Sequence, residues 1–248
     1  MTEISSVSFL PDALVARFNA WRQDDFDATH FAELANGQSP IAMVISCCDS
    51  RVQSTEIFDV PAGSFFIHRN IANLVPPYDP GDDAHGTASA LEYAVKALKV
   101  PHLIIMGHSA CGGVQACYEM CENNVAAGDA GFEFVGHWLE ILRSAHGRIS
   151  GTEEAARLIS MGHQGVIGSL DNLMGYPFVA EAVEAGALSL HGLWPGFAVP
   201  RSGDTFPSHC KSRVKLMLDS LPREYIDVAP SFTTWNASER RAEVGGLA

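Results

Sequence analysis

The sequence predicts an α/β fold: a central, mostly parallel β-sheet flanked by helices, with an N-terminal helical arm. Two observations carry this. Short apolar runs that suit buried strands alternate with amphipathic helical stripes, and alternation of that kind builds parallel sheets covered on both faces. In addition, residues able to do chemistry fall just where the strand candidates stop, the edge at which such sheets gather their ligands.

Residues 9–36 are mostly helix-like and acidic. Phe9, Phe18, Trp21, Phe26 and Phe31 supply more aromatic surface than an isolated terminal helix hides, so the expectation is an arm that packs on the body or on another subunit. The plainer reading is an ordinary first helix of the core. Gly37-Gln38-Ser39-Pro40 signals a turn. Ile41 to Ser46 then reads as a buried strand ending in Cys47-Cys48-Asp49-Ser50-Arg51. If extended geometry lasts that far, alternation puts Cys47, Asp49 and Arg51 on one side and Cys48 and Ser50 on the other.

A second strand is expected over Ser64–Arg69, before Pro76-Pro77 ends regular structure. Ala84, Ala88, Leu91, Val95 and Leu98 form one helical stripe, with Tyr93 roughly opposite Leu91. Val100–Met106 reads as a third buried strand. Gly107-His108-Ser109-Ala110-Cys111-Gly112-Gly113 follows, its glycines suited to a sharp turn, and leads into a helix from Val114 to Asn123. Further helices are expected over Phe134–Ala145 and Glu153–Met174. The second carries Gly162, Gly165 and Gly168, whose usual cause is close approach of another backbone or a helix break. Ala187–Gly192 is the last strand candidate, and Val214–Leu218 a short amphipathic segment.

The chain of 248 residues is long enough for one large domain. We divide it into an arm (1–36), a catalytic core (37–195) and a C-terminal extension (196–248). The formal charge of −13 argues against nucleic acid or an anionic membrane as main partner. No apolar run approaches the roughly 18 residues of a membrane span. The opening residues lack the pattern of a secretory signal, which points to the cytoplasm. Clustered thiols in a reducing compartment suggest metal or catalysis rather than a disulfide framework.

Cys47, His108 and Cys111 therefore arrive at one edge of the sheet. Zinc takes thiolate and imidazole ligands tetrahedrally, and three protein ligands with one open position is the catalytic pattern. His-x-x-Cys alone is a weak signal; Cys47, Asp49 and Arg51 at a matching strand end strengthen it.

Three ordered motifs, Cys47-x-Asp49-Ser50-Arg51, Arg69-Asn70-Ile71-Ala72-Asn73 and Gly107-His108-Ser109-x-Cys111-Gly112-Gly113, resemble the β-class carbonic anhydrases, nearest to their plant-type branch. The likeness runs from about residue 30 to 195 and includes Ser169–Val179. It implies one Zn2+ per chain on Cys47, His108 and Cys111, with Asp49 and Arg51 as a catalytic dyad. It implies reversible hydration of carbon dioxide to bicarbonate and a proton by zinc-bound hydroxide. It also implies a substrate pocket of Gln38, as amide donor, with Phe66, Ile71, Tyr93 and Gly112, partly supplied by a neighbour in a homodimer or dimer-based oligomer. Asp49 could instead become a fourth zinc ligand in a closed state. Relatives that close carry tryptophan three residues before the first cysteine, and this chain has Val44 there, so an open site with Asp49 paired to Arg51 is expected. Two thiolates acidify the water less than three histidines would, so activity should rise through pH of about 7 to 9. The alternatives are a related zinc hydrolase of COS or CS2, and a non-catalytic zinc or thiol module. Cys48 is expected to be a small buried side chain, and Cys117 and Cys121 core thiols. His68, His85, His102, His137 and His191 lack ligand spacing.

Overall fold

The structure is a computed structural model that describes residues 10–81 and 86–195. Ala84, His85, the 196–248 extension and the Val214–Leu218 segment lie outside the described residues. The chain divides into two compact units between Ser39 and Pro40.

The N-terminal unit holds α1 (Asp12–Ala20), a π-helical turn Trp21–Asp25 and α2 (Ala28–Leu34). The Asp27 carboxylate caps α2 by accepting from the backbone N–H groups of Thr29 and His30 at 2.9 and 3.1 Å. Its aromatic residues pack on one another: Trp21 lies 5.3 Å from Phe26, ring centre to ring centre, and Phe26 stacks on Phe31 at 4.9 Å.

In the second unit a four-stranded parallel sheet runs in the order β2-β1-β3-β4, with β1 Ala42–Cys47, β2 Phe65–Asn70, β3 His102–Met106 and β4 Ser189–Leu193. β1 sits between two neighbours and is buried along its whole length, which its unbroken apolar run anticipates. Three of the expected strands are displaced, for identifiable reasons. β3 starts after Pro101, which has no N–H to give to a ladder. β4 starts only at Ser189 because the N–H groups of Ala187 and Leu188 both donate to Ala182 at the end of the preceding helix. β2 starts after Ser64, which bonds back to Pro61 in the approach turn, and runs on to Asn70 opposite Cys47.

Helices α4 (Gly86–Glu92, continued by a π-helical turn Tyr93–Ala97) and α7 (Glu154–Leu173) cover one face of the sheet. Met43, Ile45, Leu103 and Ile105 meet Leu91, Ala94, Val166, Leu170 and Leu173 there. The other face packs Ala42, Val44, Ile104, Met106 and Leu193 against Val52, Ile57 and Phe58, the last two on α3 (Ser54–Phe58). A third cluster lies beyond the carboxyl ends of the strands, between α5 (Gly112–Glu122) and α6 (Val135–Arg143). It contains Cys47, Ala72, Cys111, Val114, Cys117 and Leu142. Helix α8 (Pro177–Glu184) returns the chain to β4.

The glycines of α7 neither break the helix nor admit another backbone. A Cβ at Gly165 would stand 2.7 Å from Cδ1 of Leu142, and one at Gly162 would overlap the Trp194 ring, so both make room for side chains. Further along, α7 holds the segment leading out of β2. The Ser169 hydroxyl accepts from the Val75 N–H at 3.1 Å and donates to the Asn73 carbonyl at 3.4 Å, and the Asn172 amide donates to Val75 at 2.8 Å. Ser169→Ala would leave the Val75 N–H buried without its acceptor. We expect a loss of about 1–3 kcal/mol in urea unfolding, with no change in bound metal.

Candidate metal centre

Three elements bring the donors together. Cys47 is the last residue of β1. His108 follows β3 by two residues, and Cys111 caps the N-terminus of α5. All three are buried, and their ligand atoms lie within 4.8 Å of one another. The two sulfurs are 3.8 Å apart. Two thiolates each about 2.3 Å from one tetrahedral ion would stand about 3.8 Å apart, so the pair fits zinc without rearrangement. His108 Nδ1 is 2.9 Å from the Ser109 carbonyl, which can only accept, so Nδ1 carries a proton and Nε2 is the nitrogen that would take a metal.

The electrostatics suit a cation. Cys47 is lowered to about 4, first by the hydrogen bond from Cys111 and, against burial, by His108 and the Asp49 backbone N–H, which donates to Sγ at 3.4 Å. Cys111 is pushed up by the Cys47 sulfur and by burial. A cation bound between the two sulfurs would favour the thiolate form of both.

Beside this cluster Asp49 and Arg51 form a forked pair. Arg51 donates from Nε to Oδ1 at 2.9 Å and from Nη2 to Oδ2 at 2.6 Å, and its backbone N–H donates to Oδ1 at 3.0 Å. That guanidinium is the main reason the Asp49 carboxyl sits well below the usual carboxylate range. The pairing does not come from extended alternation. β1 stops at Cys47, and Val52 donates to the Asp49 carbonyl at 2.9 Å to close a turn, so the two side chains meet across that turn. The same departure from the sheet leaves Cys48 exposed, where a buried side chain was expected. With both carboxylate oxygens held by Arg51, Asp49 is not among the clustered ligand atoms.

The second turn also differs from expectation. None of Gly107, Gly112 and Gly113 takes up left-handed backbone; Ala110 does, at φ 54°. The Arg51 Nη2 holds the Ala110 carbonyl at 3.0 Å, joining the two turns. Gly113 instead clears space: a Cβ there would stand 2.8 Å from Cγ2 of Ile71. Ile71 thus lies against the start of α5. A Cβ at Gly112 would meet nothing within 4 Å, so the backbone there borders open space beside Cys111.

Phe66 and Tyr93 are not brought to this cluster within one chain. They pack together at 5.8 Å, with Tyr93 half exposed, but Phe66 pairs with Met43, four positions and about 13 Å of strand before Cys47. Gln38 belongs to the N-terminal unit. Cys117 is buried against the Leu139 carbonyl and Cys121 is half-buried; neither joins the donor cluster. His68 lies 3.0 Å from the Thr87 hydroxyl, and His102 and His191 lie 3.2 Å from each other, away from the site.

Arg69 received no role from the sequence. It reaches from β2 to donate to the Cys47 carbonyl at 2.9 Å, the Asp49 carbonyl at 2.7 Å and the Gln53 amide oxygen at 3.1 Å. One guanidinium thus clamps the backbone of a metal ligand and of the acid beside it. The signal available was its place in the Arg69–Asn73 motif, at the end of the second expected strand.

Residues 42–199 match the carbonic anhydrase family. The chain belongs to that family, and its relatives place it in the β class. It is 36% identical over 197 residues to β-carbonic anhydrase 5, chloroplastic, of Arabidopsis thaliana, covering 75% of this chain and 62% of that protein. The β-carbonic anhydrase CcaA superposes with a TM-score of 0.65 at 27% identity, over 75% of this chain and 89% of its own. A β-carbonic anhydrase from a pair described as tetrameric, from Sordaria macrospora, gives a TM-score of 0.57 at 32% identity, over 75% and 88%. The chain spans less than two thirds of the length of the plant relatives it matches.

Metal analysis of purified protein is expected to find one zinc per chain. Cys47→Ser should lose it, whereas Cys117→Ser should keep it; retention by the first variant would remove Cys47 from the ligand set.

Proposed function

We propose that this protein is a zinc-dependent carbonic anhydrase, catalysing reversible hydration of carbon dioxide to bicarbonate and a proton. The observation that carries the reading is the convergence of two thiols and one imidazole with a base, Asp49, oriented beside them by Arg51. A structural zinc site has no use for that base.

Bound at Cys47, His108 and Cys111, zinc supplies Lewis-acid chemistry that lowers the pKa of a coordinated water toward neutrality and so provides a nucleophile for carbon dioxide. The chain's own groups do the rest. Asp49, kept ionised by Arg51, would act as the hydrogen-bond acceptor beside the metal position and so orient the attacking group toward the substrate. Arg69 holds the backbone on either side of Cys48, so ligand and base keep their relative position. Ile71 supplies an apolar wall suited to a nonpolar substrate, and the open space before Gly112 gives it room.

Assembly is part of the reading. β2 is an edge strand with Ile67 and Tyr93 exposed, a surface suited to a second copy. A homodimer would let one protomer's Phe66 and Tyr93 line the other's pocket, and a relative described as tetrameric is consistent with dimers that associate further. We also place the protein in the cytoplasm, since its described cysteines are all free thiols; the Arabidopsis relative is named as chloroplastic. No described helix is long and apolar enough to cross a membrane.

Stopped-flow hydration of carbon dioxide tests the activity. The zinc protein should turn over with a rate that climbs through pH of about 7 to 9, and Asp49→Ala should lower kcat/KM by about 10²-fold with zinc retained. Zinc at full occupancy without hydration would defeat the reading.

A further inference from the structure

We propose that Trp194 is a positioning residue for the metal ligand His108, acting through a slot cut by Gly107 and Gly162. The inference rests on the metal-centre reading and extends it to a residue outside the matching motifs.

Trp194 immediately follows β4, and the Gly107 N–H donates to the Leu193 carbonyl at 2.9 Å. The residue before the ligand is thereby tied to the residue before the indole. A Cβ at Gly107 would stand 2.6 Å from both Cε3 and Cζ3 of Trp194 and 2.8 Å from Cγ2 of Val166, and a Cβ at Gly162 would overlap the far edge of the same ring. The indole is therefore held between the end of β3 and the backbone of α7, with no space for even a methyl group on either side. His163 stands edge-on to it at 4.6 Å and 81°. Burial lowers the His163 pKa, so this ring packs as a neutral group. The arrangement explains two glycines that the chemistry did not use.

The consequence falls on His108. Its backbone begins one bond beyond Gly107, and a rigid aromatic plate against that glycine removes freedom from the turn carrying both His108 and Cys111. Loss of groups hydrogen-bonded to a metal ligand lowers affinity by about 10–100-fold, and loss of this packing support should act in the same direction, because the ligands must then be ordered by the metal itself. A residue that merely filled the core would lower stability and leave affinity alone.

The test compares zinc affinity, by chelator competition, and the cobalt(II) absorption spectrum across wild type, Trp194→Phe, Trp194→Ala and Leu188→Ala. Leu188 is a buried core residue, and its truncation controls for lost stability, followed by urea unfolding of each metal-free protein. We expect Trp194→Ala to bind zinc at least tenfold more weakly than Leu188→Ala, with broadened cobalt bands, and Trp194→Phe to fall between. If Trp194→Ala does not fold, Trp194→Phe against Leu188→Ala decides the matter by the same comparison. Equal affinities and unchanged spectra would overturn the proposal and leave Trp194 as core packing. A wild type that binds neither metal would overturn the metal-centre reading itself, and this proposal with it.

Discussion

The parallel hydrogen-bonded register between β1 and β3 is the constraint on which the site depends. Ser46 lies opposite Met106, so the two strands finish at the same level and release Cys47 and the His108–Cys111 turn into one small volume. A slip of one residue would invert the alternation of β1, turning Met43 and Ile45 out of the face they share with α7 and carrying the thiol away from its partners. The apolar side chains that fix register are thus the same ones that bring three donors together. Packing and chemistry are specified at once.

Burying two thiols and an imidazole at the rim of a core has an energetic cost, and the surroundings offset it with directed polar groups rather than bulk. Backbone N–H groups face the sulfurs, Arg69 satisfies two carbonyls of the exit turn, and Arg51 links that turn to Ala110 across the sheet. Two guanidiniums at different depths have different tasks. Arg51, more than half exposed, holds a carboxylate beside the site, while Arg69, part-buried, holds the backbone from which that carboxylate hangs. Ala72, Asn73 and Ala110, on the segments that flank the donors, take up left-handed backbone, as do Asp59, Lys99 and Asn124 elsewhere.

The strand-and-helix order and the three donors were legible because both depend on short-range pattern: apolar runs, a stop, and chemistry at the stop. The parts that were not legible depend on where regular structure ends. Strand alternation holds only as far as Cys47: the chain turns at Asp49, which exposes Cys48 and brings Asp49 to Arg51 across the turn rather than along one strand face. The glycines around His108 suggest turn formers in sequence, whereas Ala110 takes the left-handed position and Gly107 and Gly113 admit the bulk of Trp194 and Ile71. A missing Cβ says that something approaches, and only the fold says what. The contacts of Arg69 carry no local signal, because its acceptors on Cys47, Asp49 and Gln53 lie 16 to 22 residues before it and come within reach only when β2 pairs with β1.

The central claim is that these turns present a two-sulfur, one-nitrogen donor set with one position left over. Zinc K-edge X-ray absorption on the metal-loaded protein addresses it most directly. The account predicts two sulfur neighbours at about 2.3 Å and two lighter atoms at about 2.0 Å, one an imidazole nitrogen and one from solvent. Three or four sulfur neighbours, or none, would contradict it.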